Sequence, residues 1–198
     1  MTKRVLTITL VLLWALLPTA IVQASAAPST HHVDPELRSY LKNTITQASS
    51  FKDKYEAEVW LVDMSSRLAR YIEDKAFRLK FLRILHREAT KHDLPPEMVL
   101  AVIQIESAFR PYSLSVAGAQ GYMQIMPFWR NEIGRPLDNL MELETNLKYG
   151  CAILAHYLKK ERGDWIRALG RYNGSLGKLK YPRKVLNAWE RNWFVENL

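Results

Sequence analysis

From Met98 to Ile105 the chain reads Met-Val-Leu-Ala-Val-Ile-Gln-Ile, a helical segment that is apolar on every side. A helix without a polar face has no stable place on a surface, so other elements must wrap it. Leu94-Pro95-Pro96-Glu97 supplies the start signal, with Pro at the first helical position. The sequence therefore predicts a domain built around one central helix.

The wrapping is also helical. Asp34-Pro35 is a capping start, followed by Leu37, Leu41 and Ile45 at intervals of four. From about Phe51, the positions Leu61, Met64, Leu68 and Ile72 share one helical face, and Phe77, Phe81, Ile84 and Leu85 share another. Lys91-His92-Asp93 closes that segment. Residues 107–120 carry no period, and the short apolar piece 121–127 ends the loop. Leu140, Leu147, Cys151, Leu154 and Leu158 mark a long amphipathic helix. Asp164 caps a shorter one through Leu169, which Tyr172-Asn173-Gly174 stops. Val185, Leu186, Trp189 and Trp193 mark a last helix. No long alternating pattern argues for strands, so the expected class is all-α.

The N-terminus predicts export. Lys3 and Arg4 precede an apolar run from Val5 to Leu17, and the small residues Ala24-Ser25-Ala26-Ala27 follow. That order reads as a signal peptide, residues 1–26, cut after Ala26 or its neighbour Ala24. The alternative is an uncleaved anchor, since Val5 to Val22 approaches the length of a membrane span. Cleavage removes Lys3 and Arg4, leaving 172 of 198 residues and +6 of the formal +8 charge. On an exported protein such a charge points to anionic surface polymers rather than to nucleic acid. Cys151 is the single cysteine and cannot form an internal disulfide. On the apolar stripe of its helix it reads as a buried, inert thiol. The five histidines have no metal-binding spacing, so neither a metal nor another cofactor is expected.

Glu106 ends the apolar helix on the same face as Val99, Val102 and Ile103. Burial in an apolar groove and the negative helix C-terminus both disfavour its charged form. A carboxyl group held protonated near neutral pH is equipped for general acid catalysis. A Glu that reaches solvent or pairs with a cation is the structural alternative.

The residues after it narrow that choice. Glu106-Ser107-Ala108-Phe109-Arg110-Pro111 runs into Ser115-Val116-Ala117-Gly118-Ala119-Gln120-Gly121-Tyr122-Met123-Gln124-Ile125-Met126-Pro127. Asn146, Gly150, Tyr157 and Leu158 follow, and then Arg171-Tyr172-Asn173-Gly174. These four motifs, over residues 90–190, resemble the soluble lytic transglycosylase (SLT) family. They match its E-S-x-F-x-P, S-x-x-G-A-x-G-L-M-Q-I-M-P, N-x-x-x-G and A-Y-N patterns in order. Tyr122 stands where Leu is usual, Ser113 and Arg171 where Ala is usual, and Ser175 where a smaller Gly or Ala is customary. Tyr122 and Arg171 are expected to alter groove shape.

The resemblance implies a goose-type, lysozyme-like helical domain over residues 91–198; residues 27–90 lie outside the motifs and read, from their helical spacing, as a helical N-terminal extension packed on it. The resemblance also implies a periplasmic monomer acting on peptidoglycan glycan strands, with the membrane involved only through an uncleaved signal. The activity implied is non-hydrolytic cleavage of the MurNAc–GlcNAc bond to 1,6-anhydro ends, with Glu106 as single acid and base. Tyr172 would hydrogen-bond Glu106. Gln124 and Asn173 would contact the glycan, and Met123 and Met126 would either shape the groove or fill core. Ser107 and Ser115 would support the catalytic loop at the substrate. A hydrolytic muramidase and a non-catalytic glycan-binding protein are the competing readings.

Overall fold

A computed structural model of the chain describes residues 54–195, which fall in one compact unit. The leader and the helix start at Asp34-Pro35 lie outside the described residues. Helix α1 spans Lys54–Leu68, α2 Lys75–Thr90 and α3 Pro96–Ser107. After a long loop come α4 (Trp129–Ile133), α5 (Leu143–Lys160), α6 (Trp165–Tyr172) and α7 (Lys180–Ala188). A π-helical turn, Trp189–Trp193, closes the order. No strand occurs among the described residues; the loop between α3 and α4 carries only the isolated bridges Leu114–Gln120 and Gln120–Ile125. The class is all-α, as expected.

Helix α3 is the centre. Val99, Leu100, Ala101, Val102 and Ile103 are all fully buried. It packs against α2, α7 and the π-helical turn, while α5 packs against α2 and α6. Local signals account for the boundaries. The side chains of Asp74 and Asp164 accept the N–H groups of Phe77 and Arg167, each at 3.0 Å, satisfying donors that a helix start leaves unpaired. Glu142 caps α5 in the same way, on Glu144 and Thr145. Cys151 is fully buried on α5, and burial raises its thiol well above the ordinary range.

Two elements differ from the periodicity reading. Helix α4 is a single turn, too short to show a period, and it is fixed by burial of Trp129 and Ile133 one turn apart. Beyond Ala188 the last helix widens into the π-helical turn. That turn buries Trp193 against Phe109, with ring centroids 5.5 Å apart, and sends its indole N–H to Gln104 Oε1 at 2.7 Å.

Candidate active site

Glu106 is the next-to-last residue of α3. The helix then stops abruptly: Ala108 and Phe109 both take left-handed backbone, with φ of +50° and +62°. Such a pair of non-glycine residues costs about 1–2 kcal/mol each. The ring of Phe109 offsets this by docking among Tyr71, Phe81 and Trp193, at centroid distances of 4.8, 5.9 and 5.5 Å. The reversal leaves Glu106 at the rim of the core, part-buried and facing a cavity.

That cavity has a volume of about 350 Å³ and is lined by Ile105, Glu106, Asn173, Ser175, Lys178, Lys180, Tyr181 and Lys184. Glu106 is the one carboxylate among these lining residues. Burial pushes its pKa up to about 7, against the opposing effect of a hydrogen bond from Tyr181. The Tyr181 hydroxyl donates to Glu106 Oε1 at 2.5 Å, across 75 residues of sequence. Burial and the neighbouring Glu106 raise the Tyr181 phenol well above its ordinary value, so it stays a donor.

Tyr172, expected to hold Glu106, does something else. Its hydroxyl donates to the Met123 carbonyl at 2.8 Å. The phenol that reaches Glu106 is that of Tyr181, because Tyr172 ends α6 opposite the loop, whereas Tyr181 opens α7, the helix packed on α3. Sequence reasoning missed Tyr181. Its spacing of four from Val185 marks an inward position, yet nothing local reveals a partner 75 residues away.

Tyr172 is instead one of three anchors on the loop segment Gln120–Met123. From α3, the Ser107 hydroxyl donates to the Tyr122 carbonyl at 2.8 Å. From α5, Asn146 accepts the Met123 N–H at 2.7 Å and donates to the carbonyls of Gln120 and Leu140 at 2.9 and 2.7 Å. Gly121 has φ of +75°, and a Cβ there would strike Asn146 and the Leu140 carbonyl. A Cβ on Gly150 would strike the Met123 side chain. Both glycines of the motifs are therefore demanded by close approach.

The other expected site residues divide between wall and core. Asn173 lies in the cavity wall. Ser107 is 1% exposed with its hydroxyl committed to carbonyls, and Ser115 accepts the Ala119 N–H at 2.9 Å, so both brace the loop. Met123 is fully buried and belongs to the core; Met126 is part-buried against it. Gln124, at φ +51°, donates its side-chain amide to the carbonyls of Ser113 and Gly121 at 3.1 and 2.9 Å.

Of the departures from the motifs, Tyr122 and Arg171 do not shape the groove as expected, whereas Ser175 lies in the cavity wall. Tyr122 is 1% exposed and packs edge-on to Phe81 at 5.1 Å, its phenol pushed up to about 12 by burial. Arg171 pairs with Glu161, which also takes Arg167, and so ties α6 to the end of α5.

The comparisons with known proteins agree with the motifs. The family model described as the transglycosylase SLT domain matches residues 83–192. A transglycosylase of Enterobacteria phage PRD1 is 30% identical over 115 residues, 54% of this chain and 42% of its own. Membrane-bound lytic murein transglycosylase C of Photorhabdus laumondii is 28% identical over 116 residues, 50% of this chain and 32% of its own. The crystal structure of the 70 kDa soluble lytic transglycosylase of Escherichia coli aligns over 77% of this chain and 27% of that one, with 20% identity and a TM-score of 0.44. The chain thus spans less than half the length of these relatives.

Proposed function

Because the chain belongs to the transglycosylase SLT domain family, we propose that it is a peptidoglycan lytic transglycosylase in which Glu106 is the single acid and base. The observation that carries the reading is a lone carboxylate, pushed up to about 7, in the wall of a cavity with no second acid among its lining residues. Glycosidases that use water generally need two carboxylates, one of them to activate the water or to act as nucleophile. With one, the nucleophile has to come from the substrate.

Protonated Glu106 gives its proton to the oxygen joining N-acetylmuramic acid to N-acetylglucosamine, and the bond from C1 to that oxygen breaks. The acetamido group of the muramic acid stabilises the cation-like C1, as in substrate-assisted glycosidases. The ionised Glu106 then takes the proton of the C6 hydroxyl as its oxygen bonds to C1. The products are a 1,6-anhydromuramoyl end and a free glucosamine 4-hydroxyl, and Glu106 is again protonated. Proximity of the C6 oxygen replaces the second carboxylate. Tyr181 orients the acid throughout, Asn173 contacts the sugar, and Ser107, Asn146 and Tyr172 keep the loop in place.

Such an activity belongs outside the cytoplasm, and the reading of residues 1–26 as a leader supports export to a Gram-negative periplasm. Mass spectrometry of fragments released from purified sacculi tests the reaction. Anhydro ends, one water lighter than reducing ends, are expected. Reducing ends alone would make the enzyme a hydrolytic muramidase, and release unchanged by Glu106→Gln would remove Glu106 as the acid.

A further inference from the structure

The cavity beside Glu106 has a charge pattern that acid catalysis does not require. Lys178, Lys180 and Lys184 all line it, and all three are exposed. Lys180 and Lys184 stand one turn apart on α7, a spacing at which like charges repel. Some cations elsewhere in the fold are paired, such as Arg67 with Asp63, Arg87 with Glu88, and Arg167 and Arg171 with Glu161. Among the described residues no carboxylate forms an ion pair with any of the three lysines. Glu106 does not neutralise them, since Tyr181 occupies its Oε1 and burial favours its uncharged form.

An uncompensated group of three ammonium ions around a sugar-binding cavity calls for an anionic ligand. The backbone of a glycan strand is neutral in its rings and acetamido groups. Its negative charge sits on muramic acid, through the C3 substituent: a free lactyl carboxylate where the peptide has been removed, or the carboxylates of an attached peptide. Under the transglycosylase reading, muramic acid is the ring whose C1 lies at Glu106, so this substituent is a ring's breadth from the acid. Lysine also suits the task better than arginine. A point charge on a flexible stem follows a carboxylate of variable position, whereas a planar guanidinium fixes one geometry.

We propose that Lys178, Lys180 and Lys184 form a carboxylate-binding rim that selects muramic acid by the anionic group on its C3 substituent. This rests on the transglycosylase reading for which ring occupies the cavity. The rim determines affinity and strand register; Glu106 performs the chemistry.

The test uses the full chain carrying Glu106→Gln, which binds without turnover. Three preparations of glycan strand serve as probes: peptide-bearing, peptide-stripped with free lactyl carboxylates, and stripped with the carboxylates converted to methylamides. Carboxylate strands are expected to bind roughly tenfold more tightly than methylamide strands at low salt, the scale of three exposed ion pairs acting together. Adding K178Q/K180Q/K184Q abolishes that preference, and K178R/K180R/K184R retains it. Stronger preference for peptide-bearing strands assigns the peptide carboxylates, and preference for stripped strands assigns the lactyl group. Equal binding of carboxylate and methylamide strands, or no binding of any strand, overturns the rim. So does a loss in the glutamine variant that is the same for every strand. The chemistry fails separately: absence of anhydro ends from the wild-type chain, with the binding preference intact, refutes the transglycosylase and leaves the rim standing.

Discussion

Glu106 combines two opposing influences, burial that favours its neutral form and a phenol that favours its anion. The proposed mechanism needs the protonated acid to begin the cycle, so the rate is expected to fall as pH rises through about 7. Removing the Tyr181 hydroxyl removes the influence that lowers the pKa. In Tyr181→Phe the descending limb of the kcat profile therefore moves to higher pH, and the rate at its plateau falls about tenfold as the acid loses its orientation. Tyr172→Phe leaves the limb where it is, because that hydroxyl serves the Met123 carbonyl. Profiles of both variants on purified sacculi check this. A shift in the Tyr172 variant and none in the Tyr181 variant would reverse the assignment.

At the scale of elements, the loop segment Gln120–Met123 has only isolated bridges at Gln120 and is otherwise held by hydrogen bonds from three helices. Asn146 contributes two of them, to Met123 and Gln120, and a third bond that ties in the Leu140 carbonyl. Asn146→Ala leaves the Met123 N–H and the Leu140 carbonyl unpaired in a buried place, while the Gln120 carbonyl keeps the Ile125 N–H, and is expected to cost about 3 kcal/mol by urea unfolding. Gly150→Ala presses a methyl against Met123 and is expected to cost about 1–3 kcal/mol, with activity falling in step as the loop shifts. A fully active, fully stable Gly150→Ala would show that the loop has slack. This loop is also where the sequence was hardest to read. Helix α3 announces itself because apolar residues on every face allow only a buried helix. Residues 107–128 have no period, so nothing local says that Tyr122 and Met123 point inward while Asn173, from another element, reaches the wall. The motifs identified the segment; the orientation of each side chain depends on Ser107, Asn146 and Tyr172 acting from a distance.

For the whole molecule, the buried carboxyl is also a burden on stability. The folded chain holds the Glu106 proton to about pH 7, whereas an unfolded chain releases it near 4.5. The contribution is fully present below 4.5 and is lost as pH rises toward and through 7. The loss amounts to roughly 3 kcal/mol. Glu106→Gln carries no such penalty. Relative to the wild type, its unfolding midpoint is expected to rise between pH 5 and pH 8.5, although its activity is gone. Parallel stability profiles for the two proteins would mean that Glu106 ionises freely in the fold. The helical class, the central helix and the raised pKa of Glu106 were legible in the sequence because each rests on neighbours within a turn or two. Tyr181 and the lysine rim were not, because they reach Glu106 only through the packing of α7 on α3.

The contacts that finish the site join residues far apart along the chain: Tyr181 with Glu106 over 75 positions and Trp193 with Gln104 over 89. Closing loops of that length costs entropy before the contacts return anything, so these are late events in folding. A chain emerging N-terminus first presents α3 and its acid well before α7 arrives. Until then Glu106 has neither its phenol nor its cavity, and under the proposed mechanism a partly emerged chain is expected to be a poor catalyst. Under the proposed function, folding order thereby delays cutting until residues 181–193 have docked.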